Sequence, residues 1–148
     1  MHTSLVRKSA VVAGLAAAAL AFSPDSALAA TVYTEKATSA SSITVDANCS
    51  FVYNSKGQLA GMGCFKASGD KFYVRDYLAD GHHVEMRGQI NTNGNGFRCY
   101  ETGGTAAGWQ VCDSFWDNIP ENAVLAWTAS VWEGDDLLYS GQLKLSAA

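Results

Sequence analysis

The sequence has few basic residues, few prolines and few charged residues of any kind. Of 148 residues, 10 are Lys or Arg against 14 Asp or Glu, the formal net charge is -4, and only 2 are Pro. Such a chain offers no basic patch for nucleic acid or for an anionic membrane surface. An apolar fraction of 48% excludes an intrinsically disordered chain, and the length predicts a single globular domain.

The sequence also lacks the 3.6-residue apolar period of a helix after its first 30 residues. Short runs rich in Val, Tyr, Phe, Trp and Thr alternate there with Gly, Asn, Asp and Ser clusters, which is typical of strands and turns. We therefore predict an all-β fold, an antiparallel β-sandwich, with an Ig-like sandwich or a small barrel as alternatives. The predicted strands are 31–36, 43–46, 49–54, 58–66, 71–77, 83–90, 97–101, 109–114, 125–133 and 137–145.

The first 29 residues have the composition of a secretory signal peptide. Two basic residues precede an apolar run at 10–22, and small residues precede a predicted cleavage between Ala29 and Ala30. The run is shorter than the about 20 residues that a membrane-spanning helix needs. We expect residues 30–148 to form one exported domain that is free in the extracellular space.

Four cysteines, an even number in a chain expected to be exported, predict two disulfides. No Cys-x-x-Cys pair points to a structural metal site. A turn at Lys56-Gly57 places Cys49 opposite Cys64 on a hairpin, and the same register pairs Phe51 with Met62 and Tyr53 with Ala60. A Gly-rich turn at 103–108 centres a second hairpin that places Cys99 opposite Cys112. The predicted bridges are Cys49–Cys64 and Cys99–Cys112.

Two further hairpins follow from the alternation of apolar and polar residues. Ala79-Asp80-Gly81 fits a three-residue loop that pairs Val74 with Met86 towards the core. The same register pairs outward side chains: Arg75 with Glu85, Tyr73 with Arg87, and Tyr77 with His83. For the last hairpin we expect a core face made of Leu125, Trp127, Ala129, Val131, Leu137, Tyr139, Leu143 and Leu145, although Gly134-Asp135 favours a loop of the wrong length for it.

The stretch 69–84 reads Gly-Asp-x-Phe-x-Val-x-Asp, then Ala-Asp-Gly, then an apolar strand position. This segment resembles one found in small exported β-proteins of actinobacteria, a largely uncharacterised group. The alanine-rich start of the chain and its four cysteines are similar too. The resemblance implies an exported β-fold and carries over no catalytic residues.

Two groups of residues are candidates for binding. One loop combines aromatic and acidic side chains beside the second predicted disulfide, and the outer face of the third hairpin combines tyrosines with arginines; both combinations suit recognition of a sugar or a protein. The candidates are Trp109, Phe115, Trp116 and Asp117 in the loop, and Tyr73, Arg75, Tyr77 and Arg87 on the hairpin.

Residues that suggest catalysis or metal binding are sparse. His82 and His83 are adjacent, so regular strand geometry points them to opposite faces. No Gly-x-Ser-x-Gly motif is present. Acidic groups that glycoside cleavage would need lie near predicted turns, where they are expected anyway; they are Asp113, Asp117 and Glu121, and Glu133, Asp135 and Asp136.

We therefore expect a monomeric, exported, disulfide-stabilised protein that binds an extracellular protein or polysaccharide, without a cofactor or metal and without catalysis. The alternatives are a cell-wall or polysaccharide-binding module, an inhibitor of an extracellular enzyme that presents the loop 103–108, and a small secreted hydrolase that uses Asp113 and Asp117.

Overall fold

The computed structural model describes residues 30–148, so the predicted signal peptide at 1–29 lies outside the described residues. The described chain is all-β, with eleven strands, two single 3-10 turns and no α-helix. No helix in this part of the chain is long and apolar enough to cross a membrane. The strands are β1 (Val32–Lys36), β2 (Thr38–Ser39), β3 (Cys49–Tyr53), β4 (Leu59–Lys66), β5 (Lys71–Asp76), β6 (His83–Ile90), β7 (Gly96–Tyr100), β8 (Gln110–Cys112), β9 (Val124–Glu133), β10 (Asp136–Ser140) and β11 (Lys144–Ala147).

The strands form two sheets that pack as a sandwich, as predicted. Sheet A has the order β1-β7-β6-β9-β10, with β11 also paired to β9, and sheet B has the order β2-β8-β5-β4-β3. The pairing of β1 with β7 is parallel and all others are antiparallel. The chain crosses from sheet A to sheet B at the buried Ala37, between β1 and β2.

The core lies between the sheets and contains a cluster of phenylalanine rings. Phe72 contacts three other rings, at centroid distances of 5.0 Å to Phe65, 4.4 Å to Phe97 and 5.4 Å to Phe115. Trp127 of β9 extends the core, and its indole N–H donates to Ser146 Oγ at 3.0 Å. These contacts satisfy a buried polar group while they bury large aromatic surfaces, which stabilises the sandwich.

Glycines on β4 allow the two sheets to approach closely. A Cβ atom at Gly63 would lie 2.5 Å from Met86 Cγ, and one at Gly61 would lie 2.8 Å from Val84 Cγ2. Both partner side chains belong to β6 of the opposite sheet. Because Gly61 and Gly63 have no side chains, the buried Val84 and Met86 of sheet A can pack directly against the backbone of β4.

The first hairpin and its disulfide confirm the prediction, with one shift. Strands β3 and β4 pair Cys49 with Cys64, and Phe51 with Met62, and the two cysteines form a disulfide. A bulge after Val52 then places Tyr53 opposite Leu59, so the predicted pairing with Ala60 is wrong. The turn, in which the Asn54 side chain accepts from two backbone amides, sets this offset.

The second predicted disulfide is also present, but the hairpin predicted to carry it is wrong. Cys99 lies on β7 of sheet A and Cys112 on β8 of sheet B, so the bond joins the two sheets, with 5.9 Å between the Cα atoms. The glycine-rich segment between the two strands crosses the end of the sandwich instead of forming a tight turn. Two disulfides of this kind indicate an oxidising environment.

The third predicted hairpin is wrong because its strands belong to different sheets. Val74 on β5 and Met86 on β6 both face the core, as predicted, but they do so from opposite sides. The loop at 77–82 is therefore an arch between sheets. The predicted outward pairs do not form for the same reason; they were Arg75 with Glu85, Tyr73 with Arg87, and Tyr77 with His83.

Two smaller strand predictions also fail. Residues 43–46 form no strand, and the predicted strand 137–145 is divided into β10 and β11. A bulge between Leu137 and Tyr139 and the break at 141–143 turn three leucines outward, so they do not join the core. The exposed leucines are Leu137, Leu143 and Leu145; the four predicted core residues of β9 are buried as expected.

Candidate functional site

The outer face of sheet B carries an aromatic surface that several strands build together. Side chains of β3 and β5 alternate, so Phe51 and Tyr53 point outward on β3 and Arg75 points outward on β5. Tyr77 directly follows β5, where its N–H donates to the Ala60 carbonyl of β4 at 3.0 Å. The register places Phe51 in one row with Met62 and Arg75 across β3, β4 and β5. We call the surface made by Phe51, Tyr53, Arg75 and Tyr77 the aromatic face.

The segment 40–46 bounds the aromatic face by covering the neighbouring half of sheet B. Ala40 donates its N–H to the Trp109 carbonyl at 2.9 Å, and Ile43 packs on the Cys49–Cys64 disulfide cluster. Its far end is held by Lys66, whose Nζ lies 2.5 Å from Asp46 Oδ2. The half that contains the disulfide is thereby buried, and the half that contains the aromatic face remains accessible.

Exposure on the aromatic face increases towards the edge strand β3. Tyr53 is 54% exposed and Phe51 is 36% exposed, whereas Met62, beside Phe51 on the inner neighbour β4, is buried. Large exposed rings that adjoin each other mark an interaction surface more reliably than scattered apolar residues do. The surface therefore presents ring faces to a ligand.

Arg75 supplies the one charge of the aromatic face. Its guanidinium lies 4.7 Å from the centre of the Tyr77 ring and 5.9 Å from the centre of the Trp109 ring, within cation–π range. Within residues 30–148 no carboxylate forms an ion pair with it, and its buried Nε atom has no hydrogen-bond partner. Arg75 is thus positioned by rings and keeps hydrogen-bond donors unused.

A shallow groove of about 380 Å³ extends the aromatic face past the edge of β3. Phe51 and Tyr53 form one side, and Ser140, Gly141 and Gln142 form the other. Gly141 permits the close approach, because a Cβ atom there would lie 2.6 Å from the Phe51 carbonyl oxygen. The groove therefore combines two rings with a hydroxyl and a neutral amide.

The structure brings together four of the eight predicted binding residues. Tyr73, Arg75, Tyr77 and Trp109 all lie on the outer side of sheet B, where Trp109 is buried beside Arg75 and Tyr73 lies in the covered half. Arg87 does not join them, because its strand belongs to sheet A.

The predicted loop cluster at 115–117 does not form a platform. Phe115 is buried in the core at the phenylalanine cluster. Trp116 is 60% exposed and Asp117 is exposed, whereas Trp109 is buried with Met62 and the Cys49–Cys64 disulfide on the outer side of sheet B. The 3-10 turn at Phe115–Asp117 turns neighbouring side chains in different directions, which the sequence proximity of the aromatics concealed.

The sequence interpretation missed Phe51 and Tyr53 as site residues. A signal was available, because their predicted register already placed both on one face of a hairpin. That face also carries the Cys49–Cys64 disulfide, and the register alone does not show that its half at Phe51 and Tyr53 stays exposed. An outward position for both follows directly from the inward positions of Ser50 and Val52.

The outer face of sheet A is centred on a fully buried carboxylate, Glu85. Arg87 Nε lies 2.5 Å and Arg98 Nε 3.0 Å from its oxygens, and His83 Nε2 lies 2.8 Å away. Burial alone would raise the pKa of Glu85, but the hydrogen bonds from Arg98, Arg87 and His83 hold it below its ordinary value. Arg87 also lies 3.6 Å from the centre of the Trp132 ring. This network is satisfied internally.

The residues considered for metal binding or catalysis lie apart. His82 lies 3.1 Å from Asp80, whereas His83 contacts Glu85, so the adjacent histidines have different partners. Within the described range no three His, Cys, Asp or Glu side chains are arranged to hold a metal ion. Asp113 and Asp117 are both exposed.

Comparison with known proteins finds no match for this chain among protein-family models, curated proteins or solved structures.

Proposed function

We propose that this protein is secreted and acts without catalysis, by binding a neutral extracellular polysaccharide on its aromatic face. The observation that carries the proposal is the exposed pair Phe51 and Tyr53, set beside Tyr77 and next to a groove lined by Ser140 and Gln142. Two disulfides and a predicted signal peptide support an extracellular location.

The chemistry of the surface favours sugars over other partners. Ring faces stack on the apolar C–H side of a sugar, while hydroxyl and amide groups at the rim exchange hydrogen bonds with its hydroxyls. Strand β4 separates β3 from β5, so a ring on β3 and the Tyr77 ring directly after β5 stand about 10 Å apart, which suits alternate units of an extended glycan. A single unpaired charge, Arg75, leaves the face close to neutral.

A binding experiment with matched variants tests this proposal. The purified protein is run in native gels that contain soluble β-glucan or xylan, and it is mixed with insoluble cellulose or chitin. We expect retention on at least one polymer, and a loss of affinity of about tenfold or more for Phe51→Ala/Tyr53→Ala, because ring anchors dominate such interfaces.

Trp116→Ala is the matched control, since it removes an exposed ring that lies outside the aromatic face. Its affinity should equal that of the unmodified protein. The proposal is wrong if no polymer retains the protein, or if Trp116→Ala abolishes retention and the double variant does not.

A further inference from the structure

A cleft of about 690 Å³ opens at one end of the sandwich, separate from the aromatic face. Its walls come from the arch between β5 and β6 and from the segment that follows β7, residues 76–83 and 98–106. A volume of this size is typical of small-molecule sites. We call it the end cleft.

Two buried carboxylates line the end cleft, and the structure uses them differently. Glu101, 1% exposed, accepts hydrogen bonds from the amides of Val84 at 3.1 Å and Gly104 at 2.9 Å, one on each oxygen. Through these two hydrogen bonds, Glu101 holds the start of β6 and the segment after β7 together. Asp76, 6% exposed, accepts from the Leu78 amide at 2.9 Å through Oδ1 only.

The second oxygen of Asp76 is the unmatched group of the end cleft. No side chain of the described residues donates a hydrogen bond to Oδ2, which lies beside Gly104, 3.9 Å from the place of a Cβ atom there. The Tyr77 amide also lies near the Asp76 carboxylate, but it donates to the Ala60 carbonyl at 3.0 Å. No Lys, Arg or His within residues 30–148 forms an ion pair with Asp76. Burial, reinforced by Glu101 and Asp80, raises the pKa of Asp76 to about 6. A buried carboxylate without a counter-charge is unfavourable, and a cation in the cleft would relieve this.

The basic residues at the rim are engaged elsewhere. The guanidinium of Arg98 and the ring of His83 both contact Glu85, and His82 pairs with Asp80. The remaining walls include Leu78 and Ala106, which are apolar. Such a lining suits an organic cation with a small apolar body.

We propose that the end cleft binds a small organic ammonium compound, whose charged nitrogen pairs with Asp76 Oδ2 while its carbon body packs on Leu78 and Ala106. This site is independent of the polysaccharide proposal, because no residue of the aromatic face lines it.

Calorimetry with cyclohexylamine, and with cyclohexanol as the neutral analogue of the same shape, tests the proposal. At about pH 7.5 we expect saturable binding of the amine and none of the alcohol. Asp76→Asn should lower the affinity for the amine by about tenfold to a hundredfold, which is the contribution of one charge-assisted hydrogen bond. Asp113→Asn, which alters an exposed carboxylate outside the cleft, should leave binding unchanged.

The pH dependence provides a second test that needs no variant. Lowering the pH through about 6 protonates Asp76 and removes the charge that pairs with the amine. The other charged or titratable groups that face the cleft are Asp80, His82, His83, Arg98 and Glu101. Amine affinity should therefore fall, and the carboxyl signal of Asp76 in NMR should titrate at lower pH when cyclohexylamine is present.

Three outcomes would overturn the proposal. The first is the absence of saturable amine binding, and the second is equal binding of cyclohexanol. The third is an Asp76 titration that the amine does not move. Failure of the amine to bind leaves the polysaccharide result unaffected, so the two proposals fail separately.

Discussion

Replacing Asp76 by asparagine should make the protein more stable at neutral pH, although it changes a buried polar residue. Asparagine keeps the oxygen that accepts from the Leu78 amide and removes the charge that burial disfavours. The pKa of Asp76 is raised from 3.8 to about 6 in the folded protein, first by desolvation and then by Glu101 and Asp80.

The sign and size of the effect follow from proton linkage. A carboxyl whose folded pKa is raised favours folding at low pH, and this contribution is lost as the pH rises from 3.8 to about 6. The full difference corresponds to about 3 kcal/mol at neutral pH. Because the carboxyl lines a cleft open to water, solvent screening reduces the expected gain of Asp76→Asn to about 1–2 kcal/mol.

Urea unfolding with intact disulfides measures this difference. We expect the free energy of unfolding of Asp76→Asn to exceed that of the unmodified protein by this amount at about pH 7.5. The two values should match near pH 3, where Asp76 is neutral in both the folded and the unfolded protein. Asp113→Asn, at an exposed site, should show no comparable gain. A variant that is less stable at neutral pH, or a gain that does not change with pH, would refute the reasoning.

Two further predictions concern the contacts within and behind the sheets. Gly63→Ala should lower the free energy of unfolding by about 1–3 kcal/mol, because its Cβ atom would lie 2.5 Å from Met86 Cγ. Urea unfolding in a Met86→Ala background should show a smaller loss. An unchanged loss in that background would contradict a clash between the two side chains. Glu85→Gln should lower the free energy of unfolding by about 3 kcal/mol or more at neutral pH, because two arginines lose their partner. The loss should vanish as the pH falls well below 4.5, since the pKa of Glu85 is lowered in the folded protein and protonation removes the same charge; a pH-independent loss would point to packing instead.

The sequence was sufficient to predict most strands, the two-sheet sandwich and both disulfides, and the reason is local. Alternation states which side of a strand each residue faces, so Val74 and Met86 were correctly placed in the core. The alternation of apolar and polar residues does not show which strands are neighbours in a sheet. Ala79-Asp80-Gly81 serves a hairpin and an arch equally well, and the inward residues of both strands satisfy either arrangement.

The same limit explains what was found and missed at the candidate sites. Tyr73, Arg75 and Tyr77 share one strand, so their common face followed from their spacing. Phe51 came from another strand, and only the order of strands in sheet B reveals that it borders them. The end cleft was out of reach, because Asp76 and Glu101 meet only once the arch has closed over the end of the sandwich.

The Cys99–Cys112 bond has a mechanical consequence. If the molecule is stretched between its ends, the disulfides carry the force, so the segments of 15 and 13 residues that they close are not extended. At the maximum length per residue of an extended chain, these two segments would add roughly 100 Å to the stretched protein, and they can do so only after the bonds are reduced. Because Cys99 and Cys112 belong to opposite sheets, the load also passes covalently from one sheet to the other, so under oxidising conditions the two layers cannot separate as independent bodies.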